Sequence, residues 1–98
     1  MKKYIRVIFK NGEKYDISSD VIATNRTNYY AQVDGYEKDS SEWVKEFEYS
    51  LEESELLDWV KNNMNWSDLK DDAVRIRGES FNYEEEFSNS KIKVILKD

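Results

Sequence analysis

The sequence predicts an α+β fold. An antiparallel β-sheet, made of an N-terminal hairpin and two C-terminal strands, carries two to three helices on one face, in the order ββαααβ(α)β. Three observations predict this. Apolar residues alternate with a period of two near both ends, in KYIRVIFK and KIKVILK. Between those ends they recur at the three-and-four spacing of helices. Strands gathered at the two ends of a chain, with helices between, suit helices segregated to one side of a sheet. The 98 residues make a single domain, residues 1–98. An aromatic content of 14% argues against disorder. The lack of proline, with only three glycines, suits regular structure with few irregular loops.

In chain order, residues 3–10 form the first strand, with Ile5, Val7 and Phe9 on the core face and Tyr4, Arg6, Ile8 and Lys10 on the other. Asn11-Gly12 is a strong hairpin signal, because both residue types tolerate positive φ. The return strand spans 13–18 with Tyr15 and Ile17 inward. Ser18 and Ser19 offer N-caps for a helix over roughly 20–33. Its apolar stripe is Ile22, Tyr29, Tyr30 and Val33, interrupted by Arg26. Asp34-Gly35 ends it, glycine being the preferred residue beyond a helix C-terminus.

Residues 36–39 read as a loop. Asp39 and Glu42 have capping-box spacing for a second helix carrying Trp43, Val44, Phe47 and Leu51. Phe47, Tyr49 and Leu51 also alternate, so residues 46–51 fit a strand as well; only the helix takes in Trp43 and Val44. Ser50 and Glu53 then repeat the capping-box spacing ahead of the central amphipathic helix. Leu56, Leu57, Trp59, Val60 and Met64 share one of its sides, while Ser54, Glu55, Asp58, Lys61 and Asn62 share the other. Trp66 follows, with a short extra turn over 67–70. Trp59 and Trp66 read as core anchors ahead of a binding platform, given the apolar area they bury.

A short strand over 73–77 places Val74 and Ile76 inward and Arg75 and Arg77 outward. Gly78 breaks it. Residues 80–87 hold helical spacing over barely two turns, with Ser80 as N-cap, and fit irregular structure as well. The last strand, 91–97, turns Ile92, Val94 and Leu96 inward. The expected core is Ile5, Val7, Ile17, Leu56, Trp59, Val60, Val74, Ile76, Val94 and Leu96. Arg26 falls within an apolar stripe and cannot sit bare, since an unpaired buried charge costs several kcal/mol. Stacking on Tyr29, Tyr30 or a tryptophan is expected. So is partial pairing with a carboxylate of the acidic helices, Asp58 and Glu55 being candidates; the other solution is a stem laid across the core with the charged head in water.

Composition removes whole classes of chemistry. Without cysteine or histidine there is no thiol nucleophile, no Ser-His-Asp machinery and no zinc site of the usual kinds. No disulfide framework is possible. The spacing of an EF-hand loop is absent, as are a Walker loop, GxGxxG and a Gly-x-Ser-x-Gly elbow. With 21 acidic residues, carboxylate pairs carry no information about acid–base catalysis. No enzyme, catalytic residue, metal or cofactor is expected. The arginine inside the first apolar run excludes a signal peptide or membrane span there, and a cytoplasmic protein is expected.

The net charge of −6 conceals a split. Residues 1–33 carry six basic and three acidic side chains, residues 34–72 four and thirteen, and residues 73–98 five of each. The helices are therefore acidic. Glu42, Glu46, Glu48, Glu52, Glu55 and Asp58 are candidates for docking on a partner protein with a basic surface; a solvated helical face is the commoner use of such charge. The strands are basic on their outward side, where Tyr4, Arg6, Arg75, Arg77 and Lys93, with Lys10, Lys14 and Lys97, offer an alternative surface for single-stranded nucleic acid. An acidic domain is a poor phosphate binder, which favours an ordinary solvated face or cover by the acidic segment 81–87. A third arrangement is a homo-oligomer in which basic sheet and acidic helices of neighbouring copies meet.

DVIATNRTNYYAQVDG, followed by EFEYSLEESELLDWVKNNMNWSDLKDDAVRI, resembles a set of small uncharacterised proteins of phages and other mobile elements of Gram-positive and gut bacteria. Those proteins begin with a similar strand–Asn-Gly–strand unit, so the resemblance covers roughly Tyr4 to Ile76. It implies an intracellular accessory protein, in a setting where small acidic proteins often bind host or phage proteins. It assigns no activity and no functional residue.

Overall fold

The computed structural model describes residues 2–77 and 87–97; the side chains of Arg77 and Asn89 are not among the features described. The helical spacing read over 80–86 lies outside those residues. Four strands, β1 (Lys2–Ile8), β2 (Lys14–Ser18), β3 (Val74–Arg77) and β4 (Lys91–Lys97), form one sheet in the order β3-β2-β1-β4. All its pairings are antiparallel. The helices are α1 (Ser19–Asp34), α2 (Ser41–Ser50), α3 (Glu53–Asn63) and the single turn α4 (Trp66–Leu69). The fold is α+β, as expected.

The hairpin closes differently from the sequence expectation. Phe9 N donates to Glu13 O and Gly12 N to Phe9 O, both at 2.9 Å, so Lys10, Asn11 and Gly12 form a three-residue connection. Only Gly12 is left-handed, at φ 88°. Asn11 acts through its side chain instead, Oδ1 accepting from Glu13 N at 3.0 Å. This is the three-residue turn ending in a left-handed glycine.

Ser18 Oγ accepts from Asp20 N to cap α1, and Gly35 ends it at φ 78°. Residues 46–51 resolve to the helical alternative, since α2 runs to Ser50. Its cap is Ser40, whose Oγ accepts from Trp43 N at 3.2 Å; the neighbouring Asp39 takes φ 65°. Ser50 is not the cap of α3. That position is Glu52, with no side-chain cap bond, because the Ser50 hydroxyl faces inward and donates to Glu46 O at 2.8 Å. A capping box does occur one helix later, between Asn65 and Asp68.

The core lies between the sheet and α1, α3 and α4. It gathers Ile5, Val7, Phe9 and Ile17 from the hairpin, Ile22 and Ala23 from α1, Leu56, Trp59 and Val60 from α3, then Met64, Trp66, Leu69 and Phe87. Phe9, Tyr15 and Trp66 meet edge-on, with ring centroids 5.0–6.0 Å apart. Both tryptophans of this region are buried. Val94 is half-buried against the cluster.

Three expected core residues are exposed. Val74 and Ile76 are 61% and 46% exposed because β3 sits the other way up. Its register places Val74 opposite Asp16 and Arg75 opposite Tyr15, with an irregularity between Lys14 and Tyr15. Arg75 therefore shares the helix-side face with Tyr15, and Val74 the outer one. The alternation in VRIR is real, but a four-residue edge strand is not obliged to turn its apolar row towards the helices. Leu96 is 57% exposed on the helix-side face, near the end of edge strand β4 and opposite Lys3.

Candidate functional site

The best-defined polar centre is built around Arg26, on the stripe of α1 that faces α2 and α3. Arg26 is 7% exposed. Its Nη1 donates to Glu46 Oε1 at 2.7 Å and to Ser50 Oγ at 2.9 Å. Its Nη2 pairs with Glu55 Oε2 at 3.3 Å. The guanidinium carbon lies 4.7 Å from the Tyr30 ring centre and 5.1 Å from that of Tyr49. The expected combination of stacking and pairing is what the fold shows, with Glu55 as one partner. Glu46 is the other; Asp58 accepts from Asn62 Nδ2 instead.

The ring of contacts continues to the surface. Tyr49 is 47% exposed, and its hydroxyl donates to Glu55 Oε1 at 3.0 Å. That bond and the charge of Glu55 raise its pKa above the ordinary tyrosine value. Tyr29, 52% exposed, packs against Tyr30 and Trp59 with centroids 5.2 and 5.5 Å away. The indole of Trp59 is fixed below by donating to Asn25 Oδ1 at 2.8 Å. The helical face thus carries two partly open tyrosine rings joined through Tyr30 and Arg26, with exposed Val33 one turn beyond Tyr29 on α1.

The six carboxylates that are docking candidates divide. Glu46 and Glu55 turn inward to Arg26. Glu42, Glu48, Glu52 and Asp58 remain exposed and have no ion pair among the described residues. Glu42 stands in the first turn of α2, and its own backbone amide is the main cause holding its carboxyl below the usual range. Sequence reasoning did not single out Tyr29 and Tyr49 as surface groups. The spacing of α1 puts Tyr29 on the buried stripe, and Tyr49 follows no helical stripe of its own.

The outer sheet face is less cationic than its sequence suggests. Asp16 sits 1% exposed in it. Arg6 grips it with two bonds, Nε to Oδ1 at 2.8 Å and Nη2 to Oδ2 at 2.9 Å. Lys97 Nζ reaches Oδ2 at 2.8 Å and also lies 4.4 Å from the Tyr4 ring centre. Burial pushes the Asp16 carboxyl upward, but the bonds and charges of Arg6 and Lys97 outweigh it and hold the pKa below the ordinary aspartate value. Arg75 belongs to the other face, where Nη2 contacts buried Glu13 Oε1 at 3.1 Å. Of the proposed nucleic-acid set, Tyr4, Arg6 and Lys93 do share the outer face.

A cleft of about 410 Å³ lies between the start of β1 and the start of α1, lined by Lys2, Lys3, Tyr4, Ser18, Ser19, Asp20 and Leu51. Lys3 Nζ is already committed to Leu51 O at 2.8 Å. Among the described residues no group of carboxylates could hold a metal ion, and no helix is long and apolar enough to cross a membrane. A scan against protein-family models finds no match, nor do searches of curated proteins and of solved structures.

Proposed function

We propose that this chain is a non-enzymatic protein-binding module of the cytoplasm that docks on a basic surface of another protein through its helical face. The observation that supports this reading is the pair of half-exposed rings, Tyr49 stacked on buried Arg26 and Tyr29 joined to it through Tyr30. Tyrosine, tryptophan and arginine dominate the energetic centres of protein interfaces, within a polar rim. Glu42, Glu48, Glu52 and Asp58 supply acidic groups that steer a basic partner. Because Arg26 and Glu55 hold the Tyr49 ring, and Tyr30 and Trp59 hold that of Tyr29, docking loses little side-chain freedom. The resemblance to accessory proteins of mobile elements fits a host or phage protein as the partner.

Nucleic-acid binding draws less support, because Asp16 already occupies Arg6 and Lys97. The test is affinity capture from host and phage-infected cells with the wild type, Tyr29→Ala and the pair Glu48→Lys, Glu52→Lys. Partners retained by wild type and lost by both variants, at unchanged thermal midpoints, are expected. Equal capture by all three overturns the reading. A parallel titration with single-stranded DNA and RNA at low salt gives no binding; affinity that falls steeply with salt would move the function to the sheet.

A further inference from the structure

β4 is an edge of the sheet: it pairs with β1 on one side, and among the described residues no strand pairs with the other. A free edge presents unpaired N–H and C=O groups, a template for an added strand. Here it is seven residues long, without proline, and in unbroken register with β1. Its side chains fall into two rows. Lys91, Lys93, Ile95 and Lys97 lie on the outer face, and Ile92, Val94 and Leu96 on the helix side. Lys97 is held by Asp16. Lys91 and Lys93 are exposed and have no ion pair among the described residues. Leu96 is an uncovered apolar side chain in the other row.

We propose that this edge accepts an extended acidic segment of a partner protein as an additional strand. Residues directly opposite in a strand pair share a face. A segment alternating acidic and apolar residues would set its carboxylates beside Lys91 and Lys93, and its apolar row beside Val94 and Leu96. Main-chain bonds supply affinity and the alternating rows supply selection.

The lysines also argue against a second copy of this chain as the occupant. In an antiparallel β4–β4 pair that keeps both sets of helices on one side, a register centred on Lys93 sets Lys93 against itself. Centred on Val94, it sets Lys91 against Lys97; centred on Ile95, Lys93 against Lys97. Like charges directly opposite are destabilising. The same groups that repel a copy attract an acidic strand, so the edge discriminates by repulsion as well as attraction. This site lies on the sheet and stands apart from the helical face proposed above.

The test uses a seven-residue capped peptide alternating glutamate and valine, matched to the length of β4. Amide hydrogen exchange by NMR is expected to slow at the β4 amides that do not face β1. A peptide of the same composition with its glutamates clustered is expected to bind about tenfold more weakly, because it cannot satisfy both rows. Lys93→Glu, an exposed change away from the core, is expected to keep the thermal midpoint, weaken the glutamate peptide and favour one alternating lysine and valine. No slowing at β4 overturns the proposal. Equal affinity for the clustered peptide overturns it in favour of unspecific charge attraction. Protection of β4 that rises with protein concentration, without peptide, overturns it in favour of a second copy.

Discussion

Arg26 Nη1 and Glu46 Oε1 lie 2.7 Å apart, bridging α1 to α2 at a point that is nearly closed to water on the arginine side and 29% open on the glutamate side. The pair therefore gains strength from burial of the guanidinium, while Glu46 and Glu55 can rehydrate if it is lost. Arg26→Met is expected to cost about 2–3 kcal/mol, below the usual loss for breaking a fully buried pair. Arg26→Lys keeps one charge but not the fork that reaches Glu46, Ser50 and Glu55 together, and is expected to cost about 1–2 kcal/mol. Urea denaturation of both variants checks this; wild-type midpoints would show that the centre contributes nothing to folding.

Trp59 is almost fully buried beneath Tyr29 and Tyr30 and makes a hydrogen bond to Asn25. Trp59→Ala is expected to lose about 3–5 kcal/mol, the range for emptying a large core site. The thermal midpoint should fall accordingly. An unchanged midpoint would mark Trp59 as a surface group available for binding.

Asp16 makes stability depend on acid. A carboxyl whose pKa is depressed by folding adds stability above its unfolded pKa, about 3.9, and that stability disappears as pH falls through the lower folded value. The loss attributable to Asp16 is therefore expected below about pH 4. Asp16→Asn should lower the stability plateau near neutrality and flatten the acid limb. Urea midpoints measured across pH 2–7 read both effects; an acid limb identical to wild type would show that other carboxyls govern it.

Glu13 is fully buried, with Oε1 on Arg75 and Oε2 without a hydrogen-bond partner among the described residues. Arg75→Ala leaves that carboxylate without its cation and is expected to cost about 1–3 kcal/mol, the penalty of an unsatisfied buried group. Adding Glu13→Gln removes the stranded charge and should recover part of the loss. A double variant that loses the full sum of the two single changes would show that the two residues do not act as a pair.

Much of this architecture was legible because local patterns and burial agree. In β1 and β2 the alternating residues lie over helices, so Ile5, Val7 and Ile17 had only one face to occupy. In α1 the placement of Arg26 among Ile22, Tyr29 and Tyr30 made a stacked and paired guanidinium the economical solution. The pattern failed where that constraint was missing. β3 is a short edge strand, and its face follows from the irregularity at Lys14 and the demand of buried Glu13 for Arg75. Ser50 had the spacing of a cap, but a hydroxyl within reach of a buried guanidinium is more useful there. Tyr29 and Tyr49 escaped notice as surface groups because a tyrosine on an amphipathic helix reads the same whether its ring faces inward or outward. Asp16 and Glu13 were hidden because a single acid in a strand or beside a turn carries no pattern at all.

The sheet joins the two ends of the described chain: Lys2 pairs with Lys97 and Ile8 with Lys91. During translation the hairpin is complete early, yet the inner edge of β1 has no neighbour until β4 has been made. At about 5–20 residues per second, that wait is on the order of 5–15 s. Through it a strand carrying Ile5 and Val7 is open to pairing with whatever nascent chain lies nearby. Lys2, Lys3 and Arg6 are placed along that same strand, and inward or flanking charge is the ordinary defence of an unpaired edge. Arg6 meets Asp16 within the hairpin itself, so Lys2 and Lys3 are the charges left to guard that edge from misassociation until Lys3 reaches its contact with Leu51.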